Sequence, residues 1–220
     1  MKRVQQVWAH RTASEYRSAT VAAEMLHWTL QLGLSPDTIR LIHRLVSDEL
    51  EHAEACFQTY QAAGGSDPVT PVPDAWLCLS HEPERPLILR ALAVAADEYA
   101  VAETVAFHVF KEIARHAVAP AVAPVVQRIV EDEARHSRFG WEAVEELLER
   151  TGDVGRTFLR ERLPSYLQRV RDDYTRQAAP CTAEEVAWGL MDTDAYASIT
   201  ERALGRVEER MERLLRPSDP

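Results

Sequence analysis

The sequence predicts an all-α protein, a four-helix bundle followed by further helices, and three observations carry that reading. Apolar residues recur at helical spacing over long stretches, and no stretch shows sustained strand alternation. Helix starts and stops are marked by Ser and Thr caps, prolines and glycines. One motif, Arg44-Leu-Val-Ser-Asp48-Glu49-Leu-Glu-His52, returns at an offset of 84 (48 to 132) as Arg128-Ile-Val-Glu-Asp132-Glu133-Ala-Arg-His136. The chain therefore reads as a duplicated helical hairpin.

The first helix is expected over residues 12–33. Thr12 and Glu15 fit a capping box, Glu24 sits mid-helix among Val21, Ala22 and Leu26, and Gly33 suits the stop. Ser35-Pro36 opens a second helix as N-cap and first-turn proline; it runs to Gly64-Gly65 and carries Glu49 and His52. Residues 64–86 hold Gly64, Gly65, Pro68, Pro71, Pro73 and Pro83, a long crossover that lets the second and third helices run parallel. The third helix spans 87–117, alanine-rich, with Glu103 at its centre. Pro120 and Pro124 start the fourth, which carries Glu133 and His136 and ends at Thr151-Gly152. Helices over 153–178 and 183–216 follow, broken at Pro180, the last opened by a Thr182 to Glu185 capping box. Residues 1–152 are thus read as the bundle and 153–220 as a C-terminal helical extension packed on it.

The 220 residues suffice for one domain with a substantial core. A net charge of −10 disfavours a nucleic-acid surface, which needs clustered cations. No apolar run approaches a membrane span and no signal-peptide pattern follows the first residues, so the expected compartment is the cytoplasm and no membrane partner is expected. Cys56, Cys78 and Cys181 form no C-x-x-C pair, so neither a disulfide framework nor a thiolate metal site is indicated.

Glu and His three apart lie on one helix face, one turn apart, which suits a metal-ligand pair. One such match is weak: 23 Glu and 8 His in 220 residues give roughly 0.8 by chance. The repeat is stronger, because several positions agree and each copy follows a helix with a central glutamate, Glu24 or Glu103. At about 1.5 Å per residue, Glu103 and Glu133 each lie roughly 20 Å from the turn between their helices. Glu24 lies about 14 Å before its turn and Glu49 about 20 Å after it. Carboxylates gathered inside a bundle need compensating charge, and two divalent cations supply it. Mixed carboxylate and imidazole donors suit iron or manganese.

One Glu from each of two helices plus Glu-x-x-His from each of the other two resembles the ligand set of the ferritin-like di-iron carboxylate proteins, over residues 12–150. The resemblance implies a ferritin-like bundle with Glu24, Glu49, His52, Glu103, Glu133 and His136 as ligands of two irons, with manganese or a mixed pair as alternatives. Glu49 and Glu133 would bridge. It also implies that Asp48 supports His136 and Asp132 supports His52 from the opposite half. His27 and Tyr99, one turn from candidate glutamates, are placed around the site, His27 as a packing or hydrogen-bonding neighbour and not a seventh ligand. Trp28, Tyr99 and Phe107 are read first as core, and Cys56 as a small buried hydrophobe. The Arg-rich run from 156 to 176 is interleaved with acids and reads as a solvated or salt-bridged face.

The pattern is similar to those of bacterioferritin, rubrerythrin and the aldehyde-deformylating oxygenases. No rubredoxin-like cysteine module is present. Ile129 stands where the arylamine N-oxygenases place an additional histidine, so their seven-ligand site does not carry over. Acidic charge speaks against a tRNA-hydroxylating relative. The leading expectation is a non-heme di-iron oxidase or oxygenase acting on a small organic substrate, using dioxygen or peroxide and an external electron donor. The extension would cap a substrate pocket or build a homodimer interface. The alternative expectation is a ferroxidase, iron-handling or peroxide-reducing protein.

Overall fold

Ser35 begins the second helix as the sequence predicts: its hydroxyl accepts from the Thr38 amide at 3.2 Å, and Pro36 occupies the first turn. The computed structural model describes residues 1–68, 82–175 and 179–216. Cys78 and the middle of the crossover, 69–81, lie outside the described residues, as does Arg176. Among the described residues every regular element is helical. They are α1 (Lys2–Leu32), α2 (Pro36–Ala62), α3 (Leu87–Val94), a π-helical segment (Ala95–Glu103), α4 (Thr104–His116), α5 (Ala123–Thr175), α6 (Ala183–Ala187) and α7 (Thr193–Leu214).

Two boundaries differ from expectation. α1 starts at Lys2, ten residues before the expected start at Thr12. Thr12 is therefore interior, and its hydroxyl donates back to the Trp8 carbonyl at 2.8 Å, so it caps nothing. The apolar stripe explains the longer helix: Val4 and Trp8 continue the buried face of Ala19, Ala22 and Met25 toward the N-terminus. The Thr182–Glu185 capping box forms, but the helix it opens stops at Ala187, because Gly189 at φ 85° turns the chain before α7.

Helix directions follow from hydrogen bonds at the two ends of α2. Ser35 N and Thr38 Oγ1 reach the Glu146 carboxylate, while Thr59 Oγ1 reaches the Ala121 carbonyl, so α2 and the first limb of α5 are antiparallel. α4 joins α5 through a short turn and packs against it, with Thr104 Oγ1 2.7 Å from Ser137 Oγ and 3.1 Å from Trp141 Nε1. α4 is therefore parallel to α2.

α5 is broken at Gly152 (φ 57°, ψ −137°), the position where the sequence predicts a helix end. The second limb, 153–175, turns back along α3 and the π-helical segment. Arg162 binds Glu82 there and Arg169 binds Asp97 at 2.7 Å. α7 packs on α4 and α5, tied by Arg210 to Glu145 and Arg171 to Glu201. This Arg-rich region is thus a salt-bridged face, as the sequence predicts. Buried apolar residues of both α5 limbs and of α7 belong to one core with α1–α4, and Cys56 is fully buried within it.

Candidate metal centre

The centre is built from one face of each long helix. On α1 the buried stripe runs through Trp8, Arg11, Thr12, Glu15, Ala19, Ala22 and Met25, which turns Glu15 inward. Glu24, the residue expected from α1, is nine residues further on. Nine residues rotate a helix by about 900°, half a turn beyond two full ones, so Glu24 faces the other way and is only partly buried. Glu15 takes its place. Two signals in the sequence point to Glu15: it falls in the apolar stripe, and it lies about 27 Å before Gly33, near the 24 Å of His52 after Pro36. The capping-box spacing of Thr12 and Glu15 masks both.

Glu15, Glu49 and His52 bring ligand atoms within 4.8 Å of one another, and so do Glu49, Glu103 and His136. Glu49 belongs to both groups. Its Oε1 lies 3.2 Å from His136 Nδ1 and its Oε2 3.6 Å from His52 Nδ1. Glu15 Oε2 is 3.9 Å from His52 Nδ1, and Glu133 Oε2 is 3.4 Å from His136 Nδ1. Glu133 is buried beside the second group without completing a ligand triad of its own. The two imidazole rings stand 5.6 Å apart.

Both rings turn Nδ1 toward the glutamates and Nε2 toward an aspartate of the opposite half. His52 Nε2 is 3.0 Å from Asp132 Oδ2, a hydrogen bond, and His136 Nε2 is 3.6 Å from Asp48 Oδ2, an ion-pair distance. An Nε2–H donated to Asp132 leaves the Nδ1 lone pair of His52 free to bind a cation. Guanidiniums hold the aspartates in turn. Arg44 Nε donates to Asp48 at 2.9 Å, Arg128 Nε lies 3.5 Å from Asp132, and Arg135 Nη2 bonds both Asp48 and Asp132.

Electrostatics mark the cluster as short of positive charge. Burial pushes the Glu15 carboxyl well above its ordinary range, and the Glu49 carboxylate beside it adds to that. Burial raises Glu103 likewise, with Glu133 and Glu49 contributing. Burial opposes charge on Glu49 too, but the His136 and His52 imidazoles overcome it and hold its carboxyl low. Burial disfavours His52 protonation, yet Glu49 and Glu15 push its pKa up to about 9. His136 is raised by Glu49, Asp48 and Glu133 against the same burial. Protons are therefore what balances the carboxylates when no other cation is present.

Among the buried atoms with no hydrogen-bond partner, Glu49 Oε2, Glu133 Oε2, His52 Nδ1 and His136 Nδ1 converge in this cluster, where His136 Nε2 is unpartnered as well. Buried polar atoms are nearly always satisfied. Four converging orphans, all potential ligands, fit a site for cations, and their oxygen and imidazole chemistry fits first-row divalent metals.

Glu103 is the last residue of the π-helical segment and is half-buried, whereas Glu15 is buried. π-helical turns recur at functional sites because the extra residue re-aims the side chains that follow. Gly140 on α5 makes the close approach to this segment: a Cβ there would fall on the Tyr99 and Ala100 backbone. Tyr99 is buried with its ring edge-on to Phe139 at 4.9 Å and its hydroxyl unpartnered, and burial followed by Glu98 and Glu103 raises its pKa. His27, placed near the site by its spacing from Glu24, is exposed on the same outward side of α1 and takes no part. Trp28 is core, stacked under the Arg90 guanidinium at 4.7 Å. No family model, curated protein or solved structure matches the chain.

Proposed function

We propose that the cluster holds two divalent metal ions in a ferritin-like di-iron carboxylate arrangement and that the protein is a non-heme di-iron oxidase or oxygenase acting on a small organic molecule. The observation that carries the metal reading is Glu49, shared by two ligand groups whose buried Nδ1 atoms, on His52 and His136, have no other partner. One ion would be held by Glu15, Glu49 and His52, the other by Glu49, Glu103, Glu133 and His136. Parallel α2 and α4 joined by a long connection support the ferritin-like topology. When bound, a di-iron pair supplies electrons for the reduction of dioxygen, replenished by an external donor. The chain's own part is to orient the two imidazoles through Asp132 and Asp48 and to hold Glu15, Glu49, Glu103 and Glu133 around them, away from bulk water.

The test is metal analysis of the full chain. About two metal ions per chain are expected, lost in Glu49→Ala; a chain that binds none, or an alanine variant that binds as well, overturns the reading. Iron titration in air tests the activity class. A small oligomer saturating near two irons per chain supports the oxidase or oxygenase, whereas uptake of many irons into a large hollow assembly would make the protein an iron store.

A further inference from the structure

One turn along α1 from Glu15 lies a charge that the cluster does not use. Arg11 is only 9% exposed, and its buried Nη1 has no hydrogen-bond partner. Nη2 donates to the Gly189 carbonyl at 2.9 Å. The guanidinium carbon stands 4.5 Å from the Trp8 ring centroid and 5.4 Å from that of Phe110. Among the described residues Arg11 has no ion pair.

A guanidinium stays protonated at any working pH, so burial cannot neutralise it as it would a lysine. Buried charges are otherwise paired, because an unpaired one forfeits its solvation without compensation. The aromatic rings compensate in part through their negative faces, but they offer no acceptor to Nη1. Cys56 is no acceptor for a charge either: burial keeps its thiol protonated. The nearest cluster carboxylate on the same helix, Glu15, is directed at His52.

We propose that Arg11 anchors the carboxylate of a small organic molecule beside the metal centre. Arg11 and Glu15 are four residues apart on one helix face, and Cys56, whose thiol feels the Arg11 charge, is four residues beyond His52 on α2. Arg11 and Cys56 thus form the layer next to Glu15 and His52. The ligand class follows from what remains of the guanidinium. Rings approach it from Trp8 and Phe110, Nη2 serves Gly189, and the Nη1 edge is left. One edge matches a monoanion, whereas a phosphate dianion calls for more donors than the site has. Gly189 approaches closely enough to offer its carbonyl to Nη2, where a Cβ would press on Val122 at 3.2 Å and on the Trp8 ring at 3.3 Å. The Trp8 and Phe110 rings that lie against the guanidinium favour an apolar body on the anion. That this molecule is the substrate rests on the metal reading; that Arg11 binds a carboxylate does not.

Calorimetric titration of the metal-free full chain with benzoate and hexanoate tests the site, alongside benzamide, hexanamide and inorganic phosphate. Saturable binding of one carboxylate per chain is expected, with the amides and phosphate at least tenfold weaker. Arg11→Gln should lose at least tenfold in carboxylate affinity and Arg11→Lys should retain part of it, with far-UV circular dichroism as the folding check. The Arg11 side-chain nitrogen resonances of the wild-type chain should shift on adding carboxylate, which decides the matter even if a variant fails to fold. Equal binding of amide and acid, equal binding of phosphate, wild-type affinity in Arg11→Gln, or no carboxylate binding at all overturns the proposal, the last meaning that Nη1 is served by water. Metal content measured separately tells failure of the metal reading from failure of this one.

Discussion

Arg135 reaches both aspartates that face the histidines, whereas Arg44 serves only Asp48 and Arg128 reaches, of the two aspartates, only Asp132. The duplicated motif is asymmetric at this point. The position equivalent to Arg135 in the first copy (135 − 84 = 51) is Glu51, which pairs with Arg128 instead. Residues that support metal ligands typically cost 10- to 100-fold in metal affinity when removed. In a two-site cobalt(II) titration followed by absorption, Arg44→Gln should therefore weaken mainly the ion at His136 and Arg128→Gln mainly the ion at His52. Arg135→Gln should weaken both, by about 10-fold or more; equal losses at both ions in all three variants would leave Arg135 no bridging part. A second pair of variants separates the two α1 glutamates. Glu15→Gln should remove the metal at the His52 position, while Glu24→Gln, altering an outward-facing carboxylate, should leave two ions per chain by plasma mass spectrometry. The repeat made Glu49, His52, Glu133 and His136 legible, since one offset explains all four. Glu15 has no counterpart motif, and only the phase of the α1 stripe selects it over Glu24.

Among the elements, the long helices, their directions and the break at Gly152 were legible because glycine, proline and capping residues mark them. The π-helical segment was not. Its alanines favour helix without choosing between registers, and the choice is made by tertiary contact with α5. Gly140 is where that contact is tightest, so Gly140→Ala must push α5 off the Tyr99–Ala100 backbone. Overpacking of this kind costs about 1–3 kcal/mol. A lower urea midpoint is expected, together with weaker metal binding, because Glu103 ends the displaced segment. Unchanged metal affinity with lowered stability would show that Glu103 keeps its place without the close approach. The short reach of α6 was also hidden: the capping box predicts a start, and nothing in it predicts that Gly189 ends the helix within two turns.

The whole molecule couples its stability to protons or to metal at the same site. In the metal-free protein the His52 pKa rises from 6.5 to about 9, and His136, Glu15 and Glu103 are raised as well. Groups with raised folded-state pKa values stabilise the fold below their unfolded values, and the contribution fades as pH climbs through the folded ones. Glu49 and Asp48 are shifted the other way, so their contributions are complete above their ordinary 4.5 and 3.8 and stay constant at neutral and alkaline pH. The Tm of the metal-free chain should therefore fall between pH 6.5 and 9 in calorimetric scans. Metal loading should raise Tm and remove that slope, since ligand imidazoles carry no extra proton; a metal-free Tm that climbs over this range would contradict the charge balance described for the cluster. The bonds from Arg3 to Ala179 and Pro180, from Trp8 to Trp188 and from Arg11 to Gly189 span 176 to 180 residues of chain. On a ribosome adding about 5–20 residues per second, the acceptor carbonyls are made roughly 9 to 36 s after the donors. For that interval the Trp8 indole N–H and the Arg11 guanidinium lack the Trp188 and Gly189 carbonyls that accept from them, so a chain still under synthesis offers both groups to a chaperone on the first three turns of α1.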